Sequence, residues 1–323
     1  MRTVSGALVI GLLVGCASSG DETELEETAP VDTFEPVQDA DPATTRFAPP
    51  DLGDWPGDLA LPAPSELPEG FEDLDATYLS ALSCGPYPEN LFDIIVPEVG
   101  APPPLLFFVH GGGFTGGSRL DSLREGRNRT LRYLDEGFAY ATVDYRFRTE
   151  DGVRRPLQDV RVCLQFVRRH ADALGFDPER IVLAGGSAGA GTSLWIATHD
   201  DLAEPDHLHP VLRQSTEVRG IAITGTQATY DIFAWDDVFS PEYADFFELA
   251  MAVPRAADEL LAFYDVDDAD ALFEEPYLSY RAAVHMLPKI DADDPPIWIQ
   301  NSRDDTDPIV DPLHHPYHSR AVI

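Results

Sequence analysis

A chain of 323 residues has room for one α/β domain of about 250 residues plus extra segments, and its 44% apolar and 24% charged content suits a packed core. A bare interaction peptide and wholesale disorder are excluded. The 22 Lys and Arg against 57 Asp and Glu give a net charge of −35, a field that repels phosphate backbones and anionic bilayers and argues against nucleic acid as a partner.

At the N-terminus Arg2 precedes an apolar run from Val4 to Val14. As a helix rising about 1.5 Å per residue this run reaches only about 20 Å, short of a bilayer core of about 30 Å. It closes in Leu13-Val14-Gly15-Cys16, which resembles the bacterial lipoprotein signal, cut so that the cysteine becomes the lipidated first residue. That resemblance implies export and a membrane attachment made only through a lipid on Cys16, with Ala17 after it favouring the outer membrane. From Gly20 to about Glu69 the chain is acidic and proline-rich with few large apolar residues, the composition of a solvated tether, so residues 16–70 are expected to link the anchor to a body over 71–323.

The body begins near Phe71, where apolar strand-like runs alternate with helical patterns, as in a mostly parallel sheet covered on both faces. Strands are expected over Asn90–Pro97, Leu105–His110 and Phe138–Tyr145, each short and rich in β-branched or aromatic residues. Helical spacing follows over Val160–His170, then a strand over Arg180–Ala184 running into Gly185-Gly186-Ser187, a helix over Ala188–Thr198, and strands at Val218–Thr224 and Pro296–Gln300. The acidic, mostly helical stretch Gln227–Asp294 suits an insertion above the sheet edge. Cys84 and Cys163 could form a disulfide in an oxidising compartment, but Cys163 shares a helix face with Val160, Phe166 and Val167, and a buried free thiol is the expectation there. The sequence carries no nucleotide-binding glycine motif and no metal-ligand cluster, so no cofactor or metal is expected.

Ser187 is the centre of Gly185-Gly186-Ser187-Ala188-Gly189, between an apolar strand and a helix. A strand-to-helix turn this sharp tolerates no bulk two residues either side of its centre and lifts the serine hydroxyl clear of the sheet. Upstream, His110-Gly111-Gly112-Gly113-Phe114 also follows a strand directly, and its glycines let bare backbone approach a substrate and donate N–H groups to a developing oxyanion. The two motifs in this order, with Val143-Asp144-Tyr145-Arg146 between them, resemble the α/β-hydrolase superfamily. The nearest branch is the HGGG carboxylesterases, including hormone-sensitive-lipase-like and bacterial feruloyl or acetylxylan esterase-like enzymes. The resemblance, from about Leu82 to the end, implies a serine ester hydrolase acting on a small-molecule ester through an acyl-enzyme. Ser187 would be its nucleophile, Gly112, Gly113 and Ala188 its oxyanion-hole amides, and His110, Asp144 and Arg146 supports for loops.

In that superfamily the order is serine, acid, histidine. The acid is expected in the loop after Pro296–Gln300, where Asp311, followed by Pro312 and Leu313, is favoured and Asp304 and Asp307 are alternatives. The resemblance places the histidine a strand further on, roughly two to three dozen residues, whereas 12 residues follow Asp311. Three readings remain open: a chain cut short and lacking the last strand and helix, a base recruited from His314, His315 or His318, and a hydrolase-like surface lipoprotein that binds an ester, glycan or protein without turnover.

Overall fold

Short runs of β-branched and aromatic residues, apolar along their whole length, form the middle of the fold. In a computed structural model that describes residues 46–239, 245–304 and 311–323, the sheet has the order β1-β2-β4-β3-β5-β6-β7. The strands are β1 (Ala76–Ser83), β2 (Leu91–Pro97), β3 (Leu105–Val109), β4 (Ala139–Val143), β5 (Ile181–Gly186), β6 (Ile221–Thr224) and β7 (Ile297–Gln300). β2 pairs antiparallel with β1 and β4, and all the pairs from β4 to β7 are parallel. Every residue of β3 and β4 is buried, as a parallel strand with both faces covered requires. The expected strands each fall within a few residues of their places. β1 is not among them, because its alternation breaks at a bulge between Leu79 and Leu82, where Ala81 has φ 53°.

The helices that cover the sheet include α1 (Arg127–Asp135), α2 (Arg154–Arg169) and α3 (Ala188–Ala197). α2 begins before the expected Val160 and packs against α3, and α3 is buried at every residue. In its first turn Gly189 lets it close on the end of β3, and Gly191 leaves room for the Tyr230 ring. The described residues of 227–294 are largely helical, including α4 (Pro254–Tyr264) and α5 (Tyr277–Val284). This layer is tied to α3 by Trp195 Nε1, which donates to the Ala283 carbonyl, and by the Tyr230 hydroxyl, which donates to that of Ala188. Among the described residues no helix is long and apolar enough to cross a membrane.

Two expectations are corrected. Cys84 and Cys163 form a disulfide, not free thiols. The helix face assigned to Cys163 does point into the core, but the turn leaving β1 brings Cys84 onto that same face, and both residues are buried. The tether expectation lies outside the described residues up to position 45, as does Cys16, while residues 46–69 lie on the body. Phe47 and Leu52 are buried in the main core, and the Phe47 ring meets Trp195 and Tyr280. Trp55 stacks on His209 and packs on Phe166. The backbone of this strap is held by side chains of the body. Gln158 donates to the Ala48 carbonyl, His209 to that of Trp55 and His170 to that of Gly57. A few widely spaced apolar side chains, each fully used, suffice where composition alone suggested none.

Candidate active site

At the end of β5 the chain turns into α3 within one residue, and Ser187 occupies that residue with φ 52° and ψ −119°. A non-glycine residue there is strained, and the surrounding structure holds it. A Cβ on Gly185 would come within 2.5 Å of Gly189, and one on Gly189 within 2.1 Å of the Val109 carbonyl oxygen. The bulk-free positions expected on either side of the serine are therefore required, Gly185 by its contact with the start of α3 and Gly189 by its contact with the end of β3. The Ser187 amide donates to the Thr224 carbonyl, fixing the turn to the end of β6.

The HGGG segment leaves β3 beside this turn. Gly112 has φ 109° and Gly113 φ 61°, values that favour glycine, and a Cβ on Gly112 would meet the Gly116 carbonyl oxygen at 2.2 Å. His110 points away from the cleft. Its Nδ1 donates to the Gly111 carbonyl at 2.7 Å, its ring stacks on Tyr145 at 4.3 Å, and burial pulls its pKa down. Tyr145 in turn donates from its hydroxyl to the His110 carbonyl. Asp144 accepts from the Arg119 amide and guanidinium, and Arg119 also donates to the buried Asp93. Arg146 is paired with Asp159 and lies over the Tyr87 ring at 3.3 Å. His110, Asp144 and Arg146 thus sit where loop supports were expected.

The cleft, about 520 Å³, is lined by Gly111, Gly186, Ser187, Thr224, Gly225, Gln300, Asn301, Ser302, Arg303, Asp311 and His314. The Ser187 hydroxyl lies 2.9 Å from Nε2 of His314, and Nδ1 of the same ring lies 2.9 Å from Oδ2 of Asp311. A carboxylate oxygen only accepts, so Nδ1 carries the proton and Nε2 presents a lone pair to the hydroxyl. Asp311 and His314 belong to one turn, with Pro312–His314 forming a short 3₁₀ segment that brings residues three apart onto one side. Burial alone would raise the Asp311 carboxyl. The hydrogen bond from His314, together with the charges of His314 and Arg303, holds it below the usual range.

Of the three candidate acids, Asp311 reaches the serine through His314. Asp304 does not line the cleft, and Asp307 lies outside the described residues. Of the three late histidines, His314 meets Ser187. His315 is buried against Phe239 and Tyr317, and His318 is buried against Trp235 and Phe239. Sequence reasoning missed Arg303, whose Nη2 donates to the same Asp311 oxygen at 3.0 Å, and a sequence signal for it is only its place between β7 and the candidate acids.

The BD-FAE family profile matches residues 92–315, more than two thirds of the chain, and includes Ser187, the HGGG segment, Asp311 and His314. The chain belongs to the BD-FAE family. Among curated relatives, Esterase LipC of Mycobacterium tuberculosis is 29% identical over 159 residues, covering 49% of this chain and 37% of that protein. An acetyl esterase of Salmonella schwarzengrund is 26% identical over 166 residues, covering 48% of this chain and 50% of its own length. The matches thus span half or less of these relatives. Among solved structures, an acetyl ester-xyloside bifunctional hydrolase from Caldicellulosiruptor lactoaceticus superposes with a TM-score of 0.51 at 16% identity, covering 82% of this chain and 79% of that one. This last likeness supports the α/β-hydrolase fold.

Proposed function

We propose that this BD-FAE protein is a serine carboxylic-ester hydrolase that works through an acyl-enzyme. The observation that carries the reading is the unbroken line of hydrogen bonds from Ser187 to His314 to Asp311 in an open cleft. In the first half-reaction the Ser187 oxygen bonds to the ester carbonyl carbon while its proton passes to His314 Nε2. Asp311 stabilises the imidazolium that results, and the amides of Gly112, Gly113 and Ala188 receive the charge that develops on the carbonyl oxygen. Collapse breaks the bond to the alcohol, which leaves with the proton from His314. Water then repeats the sequence on the acyl-serine, with His314 as base and Ser187 as the leaving group. The curated relatives named as esterases support the reaction class.

The test is hydrolysis of a short p-nitrophenyl ester, paired with labelling by a fluorophosphonate. Ser187→Ala is expected to abolish both, leaving only the residual acceleration that binding geometry and amides provide. Unchanged hydrolysis in Ser187→Ala would refute the reading. Export and lipid attachment at Cys16 belong to the same proposal, supported by the apolar run and the residues that close it. Cys16→Ser protein is expected to leave the membrane fraction, and its recovery there would refute the anchor.

A further inference from the structure

His314 is held by an unusual arrangement of its own backbone. Three consecutive carbonyls of its turn each accept a hydrogen bond from a side chain elsewhere in the fold. His318 Nε2 lies 2.9 Å from the Pro312 oxygen, Gln227 Nε2 donates to the Leu313 oxygen at 2.7 Å, and Asn301 Nδ2 donates to the His314 oxygen at 3.0 Å. The His318 ring is fixed in one tautomer by its two partners. A carbonyl can only accept, so Nε2 carries the proton, and the Ala228 amide donates to Nδ1 at 3.2 Å. His318 is fully buried, and burial pulls its pKa down to about 3, so the ring stays neutral and keeps both bonds.

Two of these anchors converge on one short segment, the turn that leaves β6. Gly225, with φ 60°, lies under the His314 ring, where a Cβ would sit 3.5 Å from Cδ2. Gln227 and Ala228 follow, the first bonding Leu313 and the second bonding His318. Thr224, just before them, accepts the Ser187 amide. Asn301 completes the arrangement from the end of β7, and its own Oδ1 accepts the Arg303 amide, so the side chain is held at both ends. A single sheet end therefore fixes both the serine and the turn that carries the imidazole.

We infer that Gln227, Asn301 and His318 are positioning residues that hold the His314 imidazole in line with Ser187. The inference rests on the reading of His314 as the base. Its physical reason is the short lever between acid and base. With Asp311 and His314 three residues apart on one turn, a small rotation of that turn moves both together and lengthens the contact to Ser187. A misplacement of about 1 Å costs on the order of 100-fold in rate. None of the three side chains bonds to Ser187, and Gln227 and His318 do not line the cleft, so the loss of either of these two acts on the rate of the chemical step and leaves substrate affinity nearly untouched, whereas Asn301 lines the cleft.

The test uses Gln227→Met, which keeps length and volume and removes the amide donor, in the full chain acting on p-nitrophenyl acetate. The expected result is a roughly 10- to 100-fold fall in kcat with KM within about threefold of the parent. A second readout is the downfield proton resonance of His314 Nδ1–H against Asp311, assigned by its absence in His314→Gln. Gln227→Met is expected to broaden or shift it. If Gln227→Met does not fold, Asn301→Ala removes a neighbouring donor, and because Asn301 lines the cleft its KM is free to change, so kcat and the resonance alone carry the test there. A kcat within about twofold of the parent together with an unchanged resonance overturns the positioning role while leaving the base in place. Full turnover in His314→Gln overturns the base, and the inference with it.

Discussion

The disulfide between Cys84 and Cys163 closes a loop of 79 residues that contains β2, β3, β4 and the HGGG segment. In the chain-entropy account, a cross-link over a loop of this length removes about 15 cal/mol/K from the unfolded ensemble, or about 4.5 kcal/mol at 25 °C. Other contacts already join the two ends. Asn90 donates to Asp159 on α2, and Arg146 binds the same carboxylate, so the reduced protein keeps this junction in the native state. Those contacts do not restrain the unfolded chain, and the cross-link therefore retains most of its entropic effect. The double variant Cys84→Ala, Cys163→Ala is expected to lose about 4 to 5 kcal/mol. In a domain of this size that corresponds to a melting temperature lower by roughly 10 to 15 °C. Alanine is the right replacement because both sites are buried and a serine hydroxyl there would add a desolvation cost. Thermal melts followed by circular dichroism, on the variant and on parent protein unfolded and refolded with reductant, measure the effect. Melting within about 3 °C of the oxidised parent would refute the reasoning, since it would mean that the unfolded chain is not constrained by this bond.

Two further predictions concern stability. Burial lowers the pKa of both His199 and His318 to about 3, so in the folded state each ring stays neutral, without its second proton, at pH values where the unfolded chain takes it up. Stability from these rings is present above the unfolded value of about 6.5 and is lost as pH falls towards 3, by about 2 kcal/mol per histidine between pH 7.5 and 5. Urea unfolding at those two pH values measures this, and equal midpoints would refute it. The second concerns the strap. Phe47→Ala empties a buried site between Trp195 and Tyr280 and is expected to cost about 3 to 5 kcal/mol, whereas a change on a solvated tether would cost nothing measurable. A urea midpoint equal to that of the parent would return residues 46–69 to the tether reading.

Much of the fold is legible in the sequence because local pattern and global environment agree. LLFFV and AYATV are apolar at nearly every position, and only a strand covered on both faces suits them. The strain at Ser187 is equally legible, since glycine at 185 lets the start of α3 close on the strand end and glycine at 189 lets it close against β3. The strap is different. Its composition is that of a disordered linker, and what orders it is a set of distant donors, Gln158, His170 and His209, that no window of sequence brings together. Cys163 shows the same limit: its helix face is legible from spacing, while the cysteine opposite it comes from the distant turn that leaves β1.

The proposed base, His314, lies nearer the acid than the resemblance led one to expect. The superfamily pattern seats acid and base on separate segments, and a search guided by that pattern looks beyond Asp311 for a further strand. Here Asp311 and His314 are three residues apart with a proline between them, and a 3₁₀ turn brings side chains at that spacing to the same side. Such a turn has few internal hydrogen bonds of its own: the His314 amide reaches Asp311 and the His315 amide reaches Pro312, both at long distances of 3.3 and 3.5 Å. Its geometry has to be imposed from outside. The donors that impose it, Gln227, Asn301 and His318, come from the end of β6, the end of β7 and the helix α6 (Pro316–Val322) that follows the turn. In this arrangement the position of the proposed base His314 relative to Ser187 is set by the ends of β6 and β7, so substitutions in those two loops are expected to act on turnover even where they touch neither Ser187 nor substrate.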